Sequence, residues 1–434
     1  MTTEVAVMNQ TGVALAADSA VTLRSDRGPK IFSSADKIFA LSLYEPIGIM
    51  VYGAATIMQV PWETIIKVYR KQLGTRAFEA LDNYADDFIR FLETNELLFP
   101  PDQKKFFVYR ATRDAYERVR AAIKGAVDDA TADGPVSSAV ARRVALAEIR
   151  REHEAAIAMP DRAGLPKAIR SRLSSAYGVD IAQARTDVFG THAFTPTAEK
   201  QLRELAQCAL LKDPVDGIDG DSGIVIAGFG HEETFPRLLS YELNGLVLDH
   251  AVLWPRGGHS ITHFNHAFIK GFGQSDMVHL FMEGVTLEYE AFVESYVRQI
   301  VERLGDVVTA RLPGRAVTPA VKAALRADQD KLLAEVHDEF ARRRAELYVD
   351  PVLSTVASLP KDELGALAES LVNLTSLKRR ISMEDETVGG PIDVAVMTKG
   401  DRLVWMKRKH YFDAALNHHF FANYFRDSSL ADTT

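Results

Sequence analysis

The chain has 434 residues, with 51 Lys plus Arg against 59 Asp plus Glu and a formal net charge of -8. Charged residues make up 25% and apolar ones 47%, which excludes a mainly disordered chain; the length allows one large domain or two to three of about 150 residues. Mild acidity argues against nonspecific nucleic-acid binding, and a lone cysteine, Cys208, excludes an internal disulfide and a cysteine-based zinc site.

A reducing, cytoplasmic compartment is expected. The first basic residue is Arg24 and no compact apolar core follows a charged start, so no secretory signal is expected. The 17-residue uncharged run Pro46 to Trp62 contains Gly48, Gly53, Gln59 and two prolines. A membrane helix needs about 20 mainly apolar residues, so this run reads as a buried strand leading into a helix.

The first 60 or so residues read as strands. Glu4 to Met8 and Val13 to Ala17 flank Asn9-Gln10-Thr11-Gly12, a hairpin turn. Lys37 to Leu41 and Gly48 to Tyr52 form a second pair, and Gly53-Ala54-Ala55 opens a helix through Ile65 to Tyr69. A charged helical stretch follows from about Asp82 to Asp213, broken at Gly134-Pro135, Pro160 and Gly164 to Pro166. Strands return at Gly223 to Gly228, Arg237 to Leu243, Leu246 to Leu253 after an Asn244-Gly245 turn, and His266 to Gly271. Glu288 to Arg379 is helical again, punctuated by Pro313, Pro319, Pro351 and Pro360, and Pro391 to Val396 with Arg402 to Met406 closes the strand pattern. Antiparallel hairpins with helices layered over a pair of sheets would explain this order; strict strand–helix alternation, as in a doubly wound fold, is not present.

The chemistry concentrates at the start. Removal of Met1 would leave Thr2 with both a hydroxyl and a free α-amine, so that one residue can attack a carbonyl and take the proton. An α-amine titrates at about 7.7–8.0, and a nearby lysine would lower that value. Asp18 ends the second strand, where the hairpin folds it back beside the chain start. Lys37 opens the next strand; pointing inward, it would need a carboxylate, and Asp18 is the candidate. Gly53 ends a strand at a helix start, where unpaired N–H groups suit an oxyanion hole.

Thr2-Thr3, Gly12-Val13-Ala14-Leu15-Ala16-Ala17-Asp18-Ser19, Lys37-Ile38-Phe39 and Gly53-Ala54-Ala55 together resemble a proteasome-type β-subunit. The strand pair Gly223 to Gly245 and the segment Glu384 to Gly390 also fit. Val388 to Asp393 and the preceding Leu371 to Arg380 helix are similar to the bacterial ancestral β-subunit branch, Anbu. The resemblance covers about half the chain, in four separated blocks.

What the resemblance implies is an N-terminal nucleophile hydrolase: an α+β, four-layer αββα sandwich of two antiparallel sheets. The core would be residues 2–81, 214–287 and 380–410, with helical insertions 82–213 and 288–379 and an aromatic tail 411–434. It implies Thr2 as nucleophile with its own amine as base, Asp18 and Lys37 as the tuning pair, Gly53 as oxyanion donor and Asp385 as orienter of the amino terminus. Lys30, in an equivalent Lys-Ile-Phe triplet, competes with Lys37, which leads the alternating apolar run. Phe272 and Val388 stand where the family has serines that help hold the terminal amine, with Ser275 or Thr387 as possible substitutes.

The remaining signals are weaker. His259, His263 and His266 lack metal-ligand spacing, and Gly271-Phe272-Gly273 lacks the third glycine of a dinucleotide fingerprint. No cofactor or metal is expected. The aromatics from Tyr411 to Phe425 read as packing or as an intersubunit contact. The leading expectation is a self-assembling threonine-type hydrolase of peptides or other amides, in a homo-oligomeric ring or spiral, binding neither nucleic acid nor membrane. A catalytically silent assembly protein on the same scaffold and a small-molecule amidase are the alternatives.

Overall fold

In the computed structural model the described residues are 2–25, 28–132, 134–162, 165–166, 168–212, 222–311, 318–382, 389–419 and 422. The fold is mixed α+β. The first strands are β1 (Thr3–Asn9), β2 (Gly12–Ala17), β3 (Val21–Ser25), β4 (Gly28–Phe32), β5 (Ile38–Ala40), β6 (Ile47–Gly53), β7 (Thr56–Ile57) and β8 (Val60–Pro61). Helices α1 (Trp62–Leu73), α2 (Leu81–Thr94), α3 (Pro101–Thr131), α4 (Ser138–Ala158), α5 (Ile169–Phe189) and α6 (Pro196–Leu211) follow. Strands β9 (Ser222–Gly228), β10 (Arg237–Val247), β11 (His250–Ser260) and β12 (Ala267–Gly273) lead to helices α7 (Asp276–Glu283), α8 (Leu287–Arg311), α9 (Pro319–Arg344), α10 (Asp350–Val356) and α11 (Lys361–Ile381). Strands β13 (Asp393–Thr398) and β14 (Arg402–Lys407) complete the sheet elements.

Two compact units divide these elements: Met1–Tyr52, Ala227–Arg237 and His259–Thr434 in the first, Gly53–Ile226 and Leu238–Gly258 in the second. In the first, an antiparallel sheet runs in the order β12-β1-β2-β13-β14. The β1–β2 hairpin forms because Asn9 organises its own turn. Its side-chain oxygen accepts from the Thr11 N–H at 2.8 Å, and its amide donates to the Val356 carbonyl at 2.9 Å and the Leu359 carbonyl at 2.8 Å.

Strand alternation then sorts the sheet into two faces. Val5, Val7, Ala14, Ala16, Val394 and Val396 pack against Leu364, Ala368, Leu371 and Val372 of α11, joined by Val278 of α7 and Val356 of α10. The alternate positions, Glu4 and Ala6 on β1 and Met397 on β13 among them, point the other way. There β5 pairs antiparallel with β6, and a Cβ on Gly48 would come within 2.6 Å of the Met397 sulfur. With helices on one side and a strand pair on the other, both β1 and β2 are buried along their whole length.

The second unit is dominated by helices. Val108, Tyr116 and Val119 of α3, Leu173 and Ile181 of α5 and Leu202 of α6 share a core with Val252 and Trp254 of β11. The Tyr116 hydroxyl donates to the Leu202 carbonyl at 3.0 Å, which satisfies its polar end inside that core.

Three sequence expectations need correction. Gly53 does not open a helix: β7 and β8 intervene, turning through Met58 and Gln59 at φ 48° and 68°, and α1 begins only at Trp62 after Pro61. Positive φ at both central residues is the hairpin geometry that follows strand twist, and proline suits a helix start. Asn244-Gly245 is not a turn either, since β10 continues through it and the reversal falls at Leu248 and Asp249. Gly245 serves close packing instead: a Cβ there would meet the Phe107 ring at 2.6 Å. Pro351 does not break the helical stretch. A π-turn at Ala345–Val349 joins α9 to α10 and places Pro351 in the first turn of α10, where no N–H is missed.

Candidate active site at the head of the first hairpin

The start of β1 and the end of β2 meet because the hairpin register pairs Glu4 with Ala17. One residue further, the Asp18 N–H donates to the Thr3 carbonyl at 3.2 Å and the Thr3 N–H donates back to Asp18 Oδ1 at 3.1 Å. Asp18 is 1% exposed. Its second oxygen accepts from the Gly389 N–H at 3.0 Å and the Ala20 N–H at 3.3 Å, and the Lys37 ammonium donates to Oδ1. This many donors hold the carboxylate in a fixed place.

Lys37 immediately precedes β5 and is 5% exposed. Besides its bond to Asp18 it stands 3.2 Å from Glu4 Oε1. Lys30, the competing lysine, is solvent-exposed, with its ammonium 5.0 Å from the Phe32 ring centroid.

Thr2 is 4% exposed, and its hydroxyl donates to Glu4 Oε2 at 3.1 Å. Its carbonyl accepts from the Gln274 N–H at 2.7 Å, just past the end of β12. Gly273 makes this approach possible. At φ 64° it adopts a conformation L-residues avoid, and a Cβ there would lie 2.3 Å from the Thr2 carbonyl oxygen and 2.9 Å from Glu4 Oε2.

Glu4 is the residue that sequence reasoning missed. It is fully buried, and burial pushes its carboxyl up to about 7, against the pull of Lys37 and with a further push from Asp18. A lone charge two residues after Thr2, on the same strand face, was the available signal. One buried ammonium, that of Lys37, therefore faces two buried carboxylates.

The structure thus brings Thr2, Asp18 and Lys37 together around Glu4. Gly53 ends β6 at φ 77° and belongs to the second unit, while Asp385, Thr387 and Val388 lie outside the described residues. Phe272 is 4% exposed and sits directly opposite Glu4 in the β1–β12 register, its ring 5.5 Å from that of Tyr52. Ser275 caps the start of α7 without a side-chain bond to it. Among the described residues, no cluster of three or more His, Cys, Asp or Glu could hold a metal ion, and no helix is long and apolar enough to cross a membrane.

No family model and no curated protein matches the chain. Among solved structures it is similar to an "Anbu (Gly-1) mutant" from Hyphomicrobium sp. strain MC1, at 10% identity and a TM-score of 0.25, over 99% of this chain and 96% of that one. A likeness at that level says nothing of what the chain does.

Proposed function

We propose that the chain, once Met1 is removed, is a threonine-type amide hydrolase acting on peptides. The observation that carries this reading is the buried set Thr2, Glu4, Asp18 and Lys37, in which the hydroxyl that would become N-terminal donates to a carboxylate tied to a buried ammonium. Structural residues seldom need two carboxylates and a lysine buried together, because each ion loses its hydration.

In this reading the Thr2 hydroxyl loses its proton to a base and Oγ1 bonds to the substrate carbonyl carbon. The C–N bond breaks, the leaving amine takes the proton, and water hydrolyses the resulting ester. Asp18 fixes Lys37, whose positive charge supports the hydroxyl as it ionises. The Gly53 N–H stabilising the oxyanion, Asp385 orienting the amino terminus, the four-layer sandwich and a ring or spiral of copies belong to the same proposal. Purified protein should cleave a panel of peptides, and Thr2→Ala should abolish cleavage with the melting curve retained.

A second reading has its own observation. Phe272 fills with an apolar ring the place where the resembled family carries a serine, which suits a silent assembly or binding protein. Loss of Met1 with no reaction between Thr2 and a hydroxyl-directed electrophile would favour it. Activity on small acyl-amides but not peptides would instead mark an amidase.

A further inference from the structure

We propose that Glu4, not the Thr2 α-amine, is the base that accepts the Thr2 hydroxyl proton, and that the amine stays as an ammonium beside it. This rests on the hydrolase reading above and replaces only its base.

Geometry comes first. The Thr2 hydroxyl already donates to Glu4 Oε2 at 3.1 Å, within the reach a proton transfer needs. The other Glu4 oxygen stands 3.2 Å from Lys37, so a proton arriving on the carboxylate stays within the buried network. The absence of a side chain at Gly273 keeps this contact open, since a Cβ there would lie 2.9 Å from Glu4 Oε2 and 3.1 Å from Thr2 Oγ1.

Charge follows. The α-nitrogen is three bonds from Oγ1, which places it within roughly 7 Å of the Glu4 carboxylate; at that range opposite charges favour each other's charged forms. Among the described residues, the groups facing Glu4 are Thr2 on its own strand, Asp18 at the end of β2 and Lys37 before β5. From β12 the facing residue is Phe272, with Lys270 5.2 Å from its ring centroid and Tyr52 packed on it. Two carboxylates against Lys37 leave one negative charge, which the Thr2 ammonium balances. An amine held charged is a poor base, and the carboxylate beside the hydroxyl is the group free to take the proton.

The step balances. The O–H bond of Thr2 breaks, the proton passes to Glu4, Oγ1 forms the new C–O bond, and the carbonyl π pair moves onto its oxygen, to return when the C–N bond breaks. Glu4 then protonates the departing amine nitrogen as the C–N bond breaks.

The test is the rate at which a small β-lactone acylates Thr2, mapped by mass spectrometry in protein shown to lack Met1. Wild type should reach half its maximal rate at or below pH 7, where an α-amine is still mostly charged. Glu4→Gln should slow acylation at least about 100-fold, the lower range of a general-base contribution, and Glu4→Asp should recover part of it. Half-maximal rate at pH 8 or above in wild type, or Glu4→Gln reacting within about threefold of wild type, overturns the role of Glu4 and leaves the hydrolase reading intact. A wild type that never reacts at Thr2 overturns both.

Discussion

Lys37 Nζ lies 3.2 Å from Glu4 Oε1 while also donating to Asp18, so one buried ammonium serves two buried carboxylates. Lys37→Met would leave both acids without a cation in a dry site. The expected loss is about 3–5 kcal/mol by denaturant titration at pH 8, the range for breaking a buried ion pair. Lys37→Arg should not restore it, because a planar fork cannot replace a compact ammonium between strands. A loss under about 1 kcal/mol for Lys37→Met would show that the cluster is hydrated rather than buried.

The raised carboxyl of Glu4 gives stability a pH dependence with a definite sign. In the unfolded chain Glu4 titrates near its ordinary 4.5, and in the fold at about 7, so between those values the fold binds more proton. Its contribution is therefore most favourable below pH 4.5, falls as pH rises to about 7, and is flat above. The full fall is about 3 kcal/mol as an order of magnitude. Glu4→Gln should lack this slope, so the difference in unfolding free energy between variant and wild type should shift in favour of the variant across that window. Removing Met1 narrows the window, since the new ammonium pulls Glu4 back down. Parallel stability curves for the two proteins would contradict the assignment.

Gly273→Ala tests how tightly β12 closes on the chain start. The added methyl would collide with the Thr2 carbonyl in a backbone region that already disfavours alanine. A loss of about 1–3 kcal/mol and a large drop in any Thr2-dependent activity are expected. Unchanged activity would mean that the Gln274–Thr2 hydrogen bond does not position the nucleophile.

Thr2→Ala should change stability little, by about 1–2 kcal/mol, because it removes one hydrogen bond to a carboxylate and leaves the Lys37 pairs in place. Thermal melting of the variant beside wild type checks this. A collapse of the fold would assign the hydroxyl a structural role.

Much of this arrangement was legible in the residues themselves. The turn residues around Asn9 fixed the first hairpin, and a hairpin with its strand ends at Thr3 and Ala17 must bring residue 18 beside residue 2. Lys37 was readable because it heads a short apolar strand, where a lysine turned inward needs a carboxylate such as Asp18. Glu4 was not, since an acidic residue opening a strand of Val, Ala and Met usually marks a solvated edge, and only the helices and strands packed over the two sheet faces bury it. Gly53 misled because small residues before an amphipathic run suit a helix start, while the two-residue turn at Met58 and Gln59 carries no glycine to announce it. Gly245 misled in the opposite sense: Asn-Gly is a strong turn signal, yet this glycine exists for the Phe107 ring from a helix distant in sequence.

Intact mass combined with covalent mapping reaches the central claim most directly. After treatment with a hydroxyl-directed electrophile, the account predicts a chain lacking Met1 and carrying one adduct on Thr2. Catalytically active protein that retains Met1, or an adduct on any residue other than Thr2, would contradict it.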